Sequence, residues 1–376
     1  NIDPLTVKPS IAERQLHSAQ INISRPQLSA LKIRERKKID FPITTLGDIA
    51  TWVAECPQES DDLDQSIVIK SSIDYDRGQV FRVVFSTKRL LQTASRASVL
   101  HIHATYKLVW GDCHVLVLGV SDMNRRFHII AMCLTSDEEE EAYRFFLEST
   151  LDAIDQFYGR KVFTYLMADC SLSISAAFNG LHSQGRILHR RHCFYHVKTA
   201  IVNNISEYAG AIGKEAKKEL KKKMELMLLS LHYSNAAQFG TLFDEMTSEL
   251  DRYPEYANYL KNTYKHQISN WCIGDAFYVP TCNNQLEGYN GHIKTNEMAR
   301  LKLDIKQFLD FMMELLHCES RRRNPQSQDK KLFAGTISID QSTVNEAVSL
   351  KEDKFPTCTM RIGQTVIIDV RDKKRM

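Results

Sequence analysis

The chain has 376 residues, of which 43% are hydrophobic and 25% charged, with a formal net charge of +3. That is ordinary globular composition, long enough for two domains or for one domain with a large insertion, and it excludes a low-complexity or repeat protein. No apolar run approaches the roughly 18 residues of a membrane span, and no membrane partner is expected.

The nine cysteines are scattered singly, with no CxxC pair, which argues for a reducing compartment rather than a disulfide framework. The opening residues NIDPLTVKPS have no signal-peptide pattern, and a chain starting without Met is expected to be a fragment of something longer. Basic residues gather at Lys32 to Lys38, Lys214 to Lys223 and Arg321 to Arg323, either as solvated helix faces or as phosphate contacts.

Residues 1 to 95 read as a polar arm, a basic helix (LSALKIRERKKI), a helix and a strand region. Thr45 with Asp48 forms a capping-box pattern for a helix through Glu55. The acidic stretch Glu59 to Asp64 is a loop, followed by strands over Ser66 to Ile73 and Val80 to Phe85 with the turn DYDRG between them. Ser86 is expected to cap a short helix, TKRLLQTAS.

From residue 96 the order of elements becomes informative. Strands are expected over Ser98 to Ala104, His114 to Val120 and Phe127 to Leu134, linked closely enough to form an antiparallel meander. Ser136 opens a long helix whose Tyr143, Phe146, Leu147, Leu151 and Ile154 repeat at helical spacing, and Gly159 stops it. A buried-type strand, Val162 to Ala168, ends at Asp169; a short helix from Ser171 to Asn179 and a strand from Arg186 to His189 follow. Residues 192 to 280 read as successive helices interrupted at Pro254. Residues 281 to 325 form two further helices, Asn284 to Glu297 and Leu301 to Arg323. Residues 326 to 376 are weakly patterned, with one strand expected at Thr365 to Val370.

A meander, a crossover helix, and two strands separated by a helix is the order of an RNase H-like fold: an α/β mixed sheet flanked by helices, here with a large all-α insertion before the last helices. The crossover makes the fourth strand of this set parallel to the first, bringing His103 near Asp169 at the carboxyl edge where open sheets hold their sites. Glu287, on the helix that follows the insertion, completes the constellation. Two acids and a third strand-end residue can cage divalent cations, because hard cations take carboxylate oxygens. Each residue also has a plainer reading: Asp169 as a cap for the helix SLSISAAF, and Glu287 as a surface acid.

HIHATYKLVW, VLVLGVSDMNRRFHIIAMCLTSDEEEEAYRFFL, FTYLMADCSLSISAAF, HCFYHV and NNQLEGYNGHIK together resemble the transposases of Mutator-like elements over roughly residues 30 to 325. The resemblance implies a DDE-type DNA transposase that cleaves and transfers strands at element ends with two Mg²⁺ (or Mn²⁺) ions. It also implies double-stranded DNA with terminal inverted repeats as partner, a homodimer or higher oligomer on DNA, and a nuclear location. By position, Asp169 and Glu287 are then metal-binding acids, and Cys193 with His196 match the family's C-x-x-H, in a supporting role. That pair also reads as half a zinc site or as an ordinary helix start. Trp271 is a candidate for stacking on a DNA base, with core packing as the alternative. No Cys/His cluster lies upstream and Cys358 makes no C-x-C, so terminal-repeat recognition is expected outside this chain or in its basic arm.

The departure is His103, which stands where the family has its first Asp. A neutral imidazole offers one nitrogen and no charge, and cannot bridge two hard cations as a carboxylate does. The expectation is severe loss of cleavage with DNA binding kept, or a domesticated, non-cleaving DNA-binding derivative. His101 should share a strand face with His103, while Asp112 lies in the following turn and is not expected to substitute. A resolvase-like nuclease is disfavoured by the long helical insertion.

Overall fold

A computed structural model describes residues 45–338 except 77–79, 111–112, 211, 269, 277–278 and 299–301, together with residues 341, 342 and 345 and the backbone of 357–362 and 365–370. The basic stretch Lys32 to Lys38, the arm before it and Asp112 lie outside these residues.

The protein is α/β, with a seven-stranded mixed sheet flanked by helices. The strands are β1 (Ser66–Asp74), β2 (Val80–Thr87), β3 (Val99–Thr105), β4 (His114–Ser121), β5 (Phe127–Thr135), β6 (Phe163–Ala168) and β7 (Ile187–His192), in the order β1-β2-β5-β4-β3-β6-β7. β3, β4 and β5 form the expected antiparallel meander, and β3 pairs with β6 in parallel. The two earlier strands join the same sheet, β2 lying antiparallel to β5.

The central strands are almost wholly apolar because both sheet faces are covered. Along β4, Leu116, Leu118 and Val120 belong to a core that includes Phe146, Leu147 and Leu151, from α3 (Glu140–Tyr158). Val115 and Val117 belong to the opposite core, with Phe308, Met312 and Leu316 from α11 (Ile305–Arg321) and Leu286 from α10 (Asn284–His292). The period of two along a strand thus fixes which residues of β3 meet α10. Leu100, Ile102 and Ala104 face the first core, leaving His101, His103 and Thr105 on the α10 side. Gly119, opposite His101, is required by a close approach: a Cβ there would lie 2.1 Å from the Phe127 ring.

Caps set the helix starts. The Thr45–Asp48 capping box opens α1 (Leu46–Glu55), as expected. Thr87, not Ser86, caps α2 (Lys88–Ser95), because the Ser86 hydroxyl donates to the Ile130 carbonyl inside the sheet. Ser136 does not open α3; its hydroxyl accepts from the Phe81 amide, and the helix starts at Glu140. Gly159, at φ 81°, ends α3 as expected. Ser171 caps α4 (Leu172–Ser183). The helix expected over Asn284 to Glu297 is α10 continued by a π-helical segment, Ile293–Glu297, and α11, capped by Asp304, starts four residues later than the expected Leu301.

Two compact units are distinguished, one formed of the described residues up to Arg190 with Asn283–Gly335, the other of Arg191–Cys282 and the described residues from Thr336 onward. The second is helical: α5 (Phe194–Asn203), α6 (Ile205–Tyr208), α7 (Lys214–Tyr233), α8 (Ala236–Ser248) and α9 (Pro254–Leu260), the last continuing as a π-helix, Lys261–Gln267. Pro254 opens α9 at its first position, where the missing N–H is harmless. A hairpin, β8 (Thr357–Ile362) with β9 (Thr365–Val370), contains the expected C-terminal strand and a partner for it. Among the described residues no disulfide forms and no helix is long and apolar enough to cross a membrane.

Candidate functional site at the carboxyl end of β3

The parallel register pairs Val99 with Tyr165, Leu100 with Leu166 and His101 with Met167. Carried two residues further, it sets His103 beside Asp169, and the His103 Nδ1 lies 3.7 Å from Asp169 Oδ2. The expected proximity of these two residues is therefore observed. Both side chains are part-exposed, at 20% and 26%.

Asp169 is held from two directions. Its Oδ1 accepts from the Ser171 amide at 2.9 Å, which turns the chain into α4. Arg190, buried on β7, donates to the Leu166 and Asp169 carbonyls and so fixes the end of β6. Asp169 thus serves the turn before the helix and faces His103, while the cap expected of it is supplied by Ser171.

The helix that carries Glu287, α10, starts beside β3. Asn283 precedes the helix, but its side chain caps nothing. Its Nδ2 instead donates to the Ile102 carbonyl at 3.1 Å, and its Oδ1 meets His101 Nδ1 at 2.9 Å. An amide oxygen only accepts, so His101 Nδ1 carries the proton and Nε2 of the neutral ring accepts from the Ser121 hydroxyl at 2.7 Å. Burial keeps that ring neutral, moving its pKa down to about 4 despite the opposing Asn283 hydrogen bond. Glu287 lies one turn beyond Asn283, on the same helix face, with its amide bonded to the Asn283 carbonyl at 2.9 Å. Asn283, His101 and Ser121 form a positioning layer beneath the candidate site. The one sign of it in the sequence is an Asn immediately before a helix, a residue ordinarily assigned to capping.

A neighbouring acid, Glu138, accepts from Tyr106 and from Tyr143, the latter at 2.6 Å, and its Oε2 lies 3.6 Å from His114 Nδ1. Burial, then Glu138, pushes both phenol pKa values up, so these tyrosines act as hydrogen-bond donors.

In the second unit, Cys193 is buried at the N-cap of α5 and His196 is half-buried one turn later; Sγ and a ring nitrogen lie within 4.8 Å of one another. Trp271 is 1% exposed, so the core alternative is the one observed. Its ring packs against Phe194 and Phe239, and its Nε1 donates to the Tyr264 carbonyl at 3.2 Å. The cluster Arg321 to Arg323 is likewise not a free basic face: Arg323 is buried and paired with Glu319, and Arg322 bridges Glu319 and Asp329.

The donor set does not fit a pair of Mg²⁺ ions. His103 supplies a neutral nitrogen where a bridging carboxylate would be required, leaving Asp169 as the only carboxylate of the two residues. The chain matches no protein-family model and no curated protein.

Proposed function

We propose that this chain is an RNase H-like, Mutator-type DNA transposase core in which His103 replaces the first metal-binding acid, so that it binds DNA but scarcely cleaves it. The observation that supports this reading is the approach of His103 to Asp169 across the parallel β3–β6 pair, with Asn283, the residue before the helix that carries Glu287, bonded to the Ile102 carbonyl of β3. An acid at 103, with Asp169 and Glu287, would complete a carboxylate set suited to two Mg²⁺ or Mn²⁺ ions, which supply charge stabilisation and an activated oxygen in phosphodiester chemistry. With histidine there, that set is one carboxylate short.

Under this reading the partner is double-stranded DNA carrying terminal inverted repeats, the assembly on DNA is a dimer or larger, and the protein works in the nucleus. Cys193 and His196 take the place of the family's C-x-x-H. Replacing His103 with Asp and assaying metal-dependent cleavage of a terminal-repeat duplex tests the proposal. Gain of cleavage supports it. A variant that binds DNA but stays inert supports the second reading, a derivative retained for binding alone.

A further inference from the structure

Past the end of β3 the chain presents exposed aromatic and cationic side chains. Trp110 is 63% exposed, whereas the neighbouring Leu108 and Val109 are buried. The loop carrying it is not slack. The Trp110 amide donates to the Leu303 carbonyl at 2.8 Å, the Leu303 amide donates to the Leu108 carbonyl at 3.0 Å, and Val109 bridges Leu303 in parallel. A stapled backbone with Leu108 and Val109 inward therefore holds the indole outward.

A lysine caps the Trp110 ring, and another precedes it in the chain. Lys302 Nζ sits 5.1 Å from the centre of the Trp110 ring, a cation–π contact. Lys107 adopts a left-handed backbone, φ 66°. Tyr106, 44% exposed, adjoins Lys107 three residues after His103.

We infer that Trp110, Tyr106, Lys107 and Lys302 form a binding surface for unpaired nucleic acid, Trp110 stacking on a base and the lysines meeting phosphates. Flat rings among cations match bases among phosphates, whereas an acidic peptide would use the lysines and leave the indole idle. Base faces are covered in a duplex, so the ligand must be a single strand or a flipped base, as beside a cleavage site. The inference rests on the nucleic-acid reading of the neighbouring site.

Tryptophan emission supplies the test, because Trp52 and Trp271 are buried at 9% and 1% exposure and Trp110 is the accessible one of the three. Titrate wild type, Trp110→Ala, Trp110→Phe and Lys302→Ala with an oligothymidylate, an oligouridylate RNA, a duplex DNA and polyglutamate. The oligothymidylate should quench wild-type emission. Trp110→Ala should weaken single-strand binding about 5- to 150-fold, the range for loss of one stacked base. Trp110→Phe should keep the affinity and lose the quench, and Lys302→Ala should weaken binding with duplex affinity unchanged. Tighter binding of the RNA supports the surface and assigns RNA as its ligand. Unchanged single-strand affinity in Trp110→Ala, with duplex binding intact, overturns this surface and leaves the proposed function standing. Failure of wild type to bind any nucleic acid, or preference for polyglutamate, overturns the inference; the former overturns the proposed function as well.

Discussion

Asn283 Oδ1 accepts from His101 Nδ1 at 2.9 Å, tying the residue before α10 to the middle of β3 across 182 positions of sequence. The same side chain also donates to the Ile102 carbonyl. One amide therefore sets both the tautomer of a buried histidine and the seat of the helix that carries Glu287.

Replacing Asn283 with Ala leaves a buried imidazole N–H and a buried carbonyl without this partner. The expected loss is about 2–4 kcal/mol, since each orphaned polar group costs about 1–3 kcal/mol. Urea denaturation of Asn283→Ala measures it; a midpoint equal to wild type would show that α10 is seated by other contacts.

Stability should fall on mild acidification. His101 and His128 are both moved from 6.5 down to about 4, chiefly by burial; for His128, Arg323 adds to this and Asp122 partly opposes it. Their folded-state values lie below the unfolded one. The stabilisation is therefore whole above about pH 6.5 and is lost as pH falls toward 4, where the unfolded chain binds protons the native state refuses. Each histidine contributes a slope of up to ~1.4 kcal/mol per pH unit across that window. Denaturation midpoints for wild type and His101→Gln, taken between about pH 7 and about pH 4.5, test this; an identical slope in the variant would contradict it.

Trp271→Ala should act on stability. Truncating a buried tryptophan costs about 3–5 kcal/mol, and here it removes the packing on Phe194 and Phe239. Thermal unfolding should show a large drop in midpoint. A variant that folds as well as wild type yet loses DNA affinity would restore the stacking role.

Much of the fold was legible because its signals are local. β3, β4 and β5 are apolar runs separated by short polar links, and the long helix between β5 and β6 leaves parallel pairing as the natural outcome. That logic also placed His103 beside Asp169. What was missed depends on distant partners. Ser86 and Ser136 have the composition of caps, but their hydroxyls are taken by Ile130 and Phe81 in the sheet. Trp271 is core, one of the two readings its sequence allowed, and it is the return of α5 and α8 against it that makes it so. Asn283 is the same case within the site, an apparent capping residue whose side chain is claimed by a strand far upstream. Arg322 and Arg323 count as a basic cluster by adjacency until Glu319, on the same helix, is seen to neutralise them.

The most direct measurement is metal-dependent cleavage of a terminal-repeat DNA by wild type and His103→Asp at matched DNA occupancy. Groups that stabilise charge at a reacting centre are worth ~100- to 1000-fold, so the variant should cleave in Mg²⁺ or Mn²⁺ at least about 100-fold faster than wild type, with DNA affinity unchanged. Wild-type cleavage at the variant's rate, or a folded and DNA-bound variant that gains none, would contradict the assignment of His103 to the position of a missing acid.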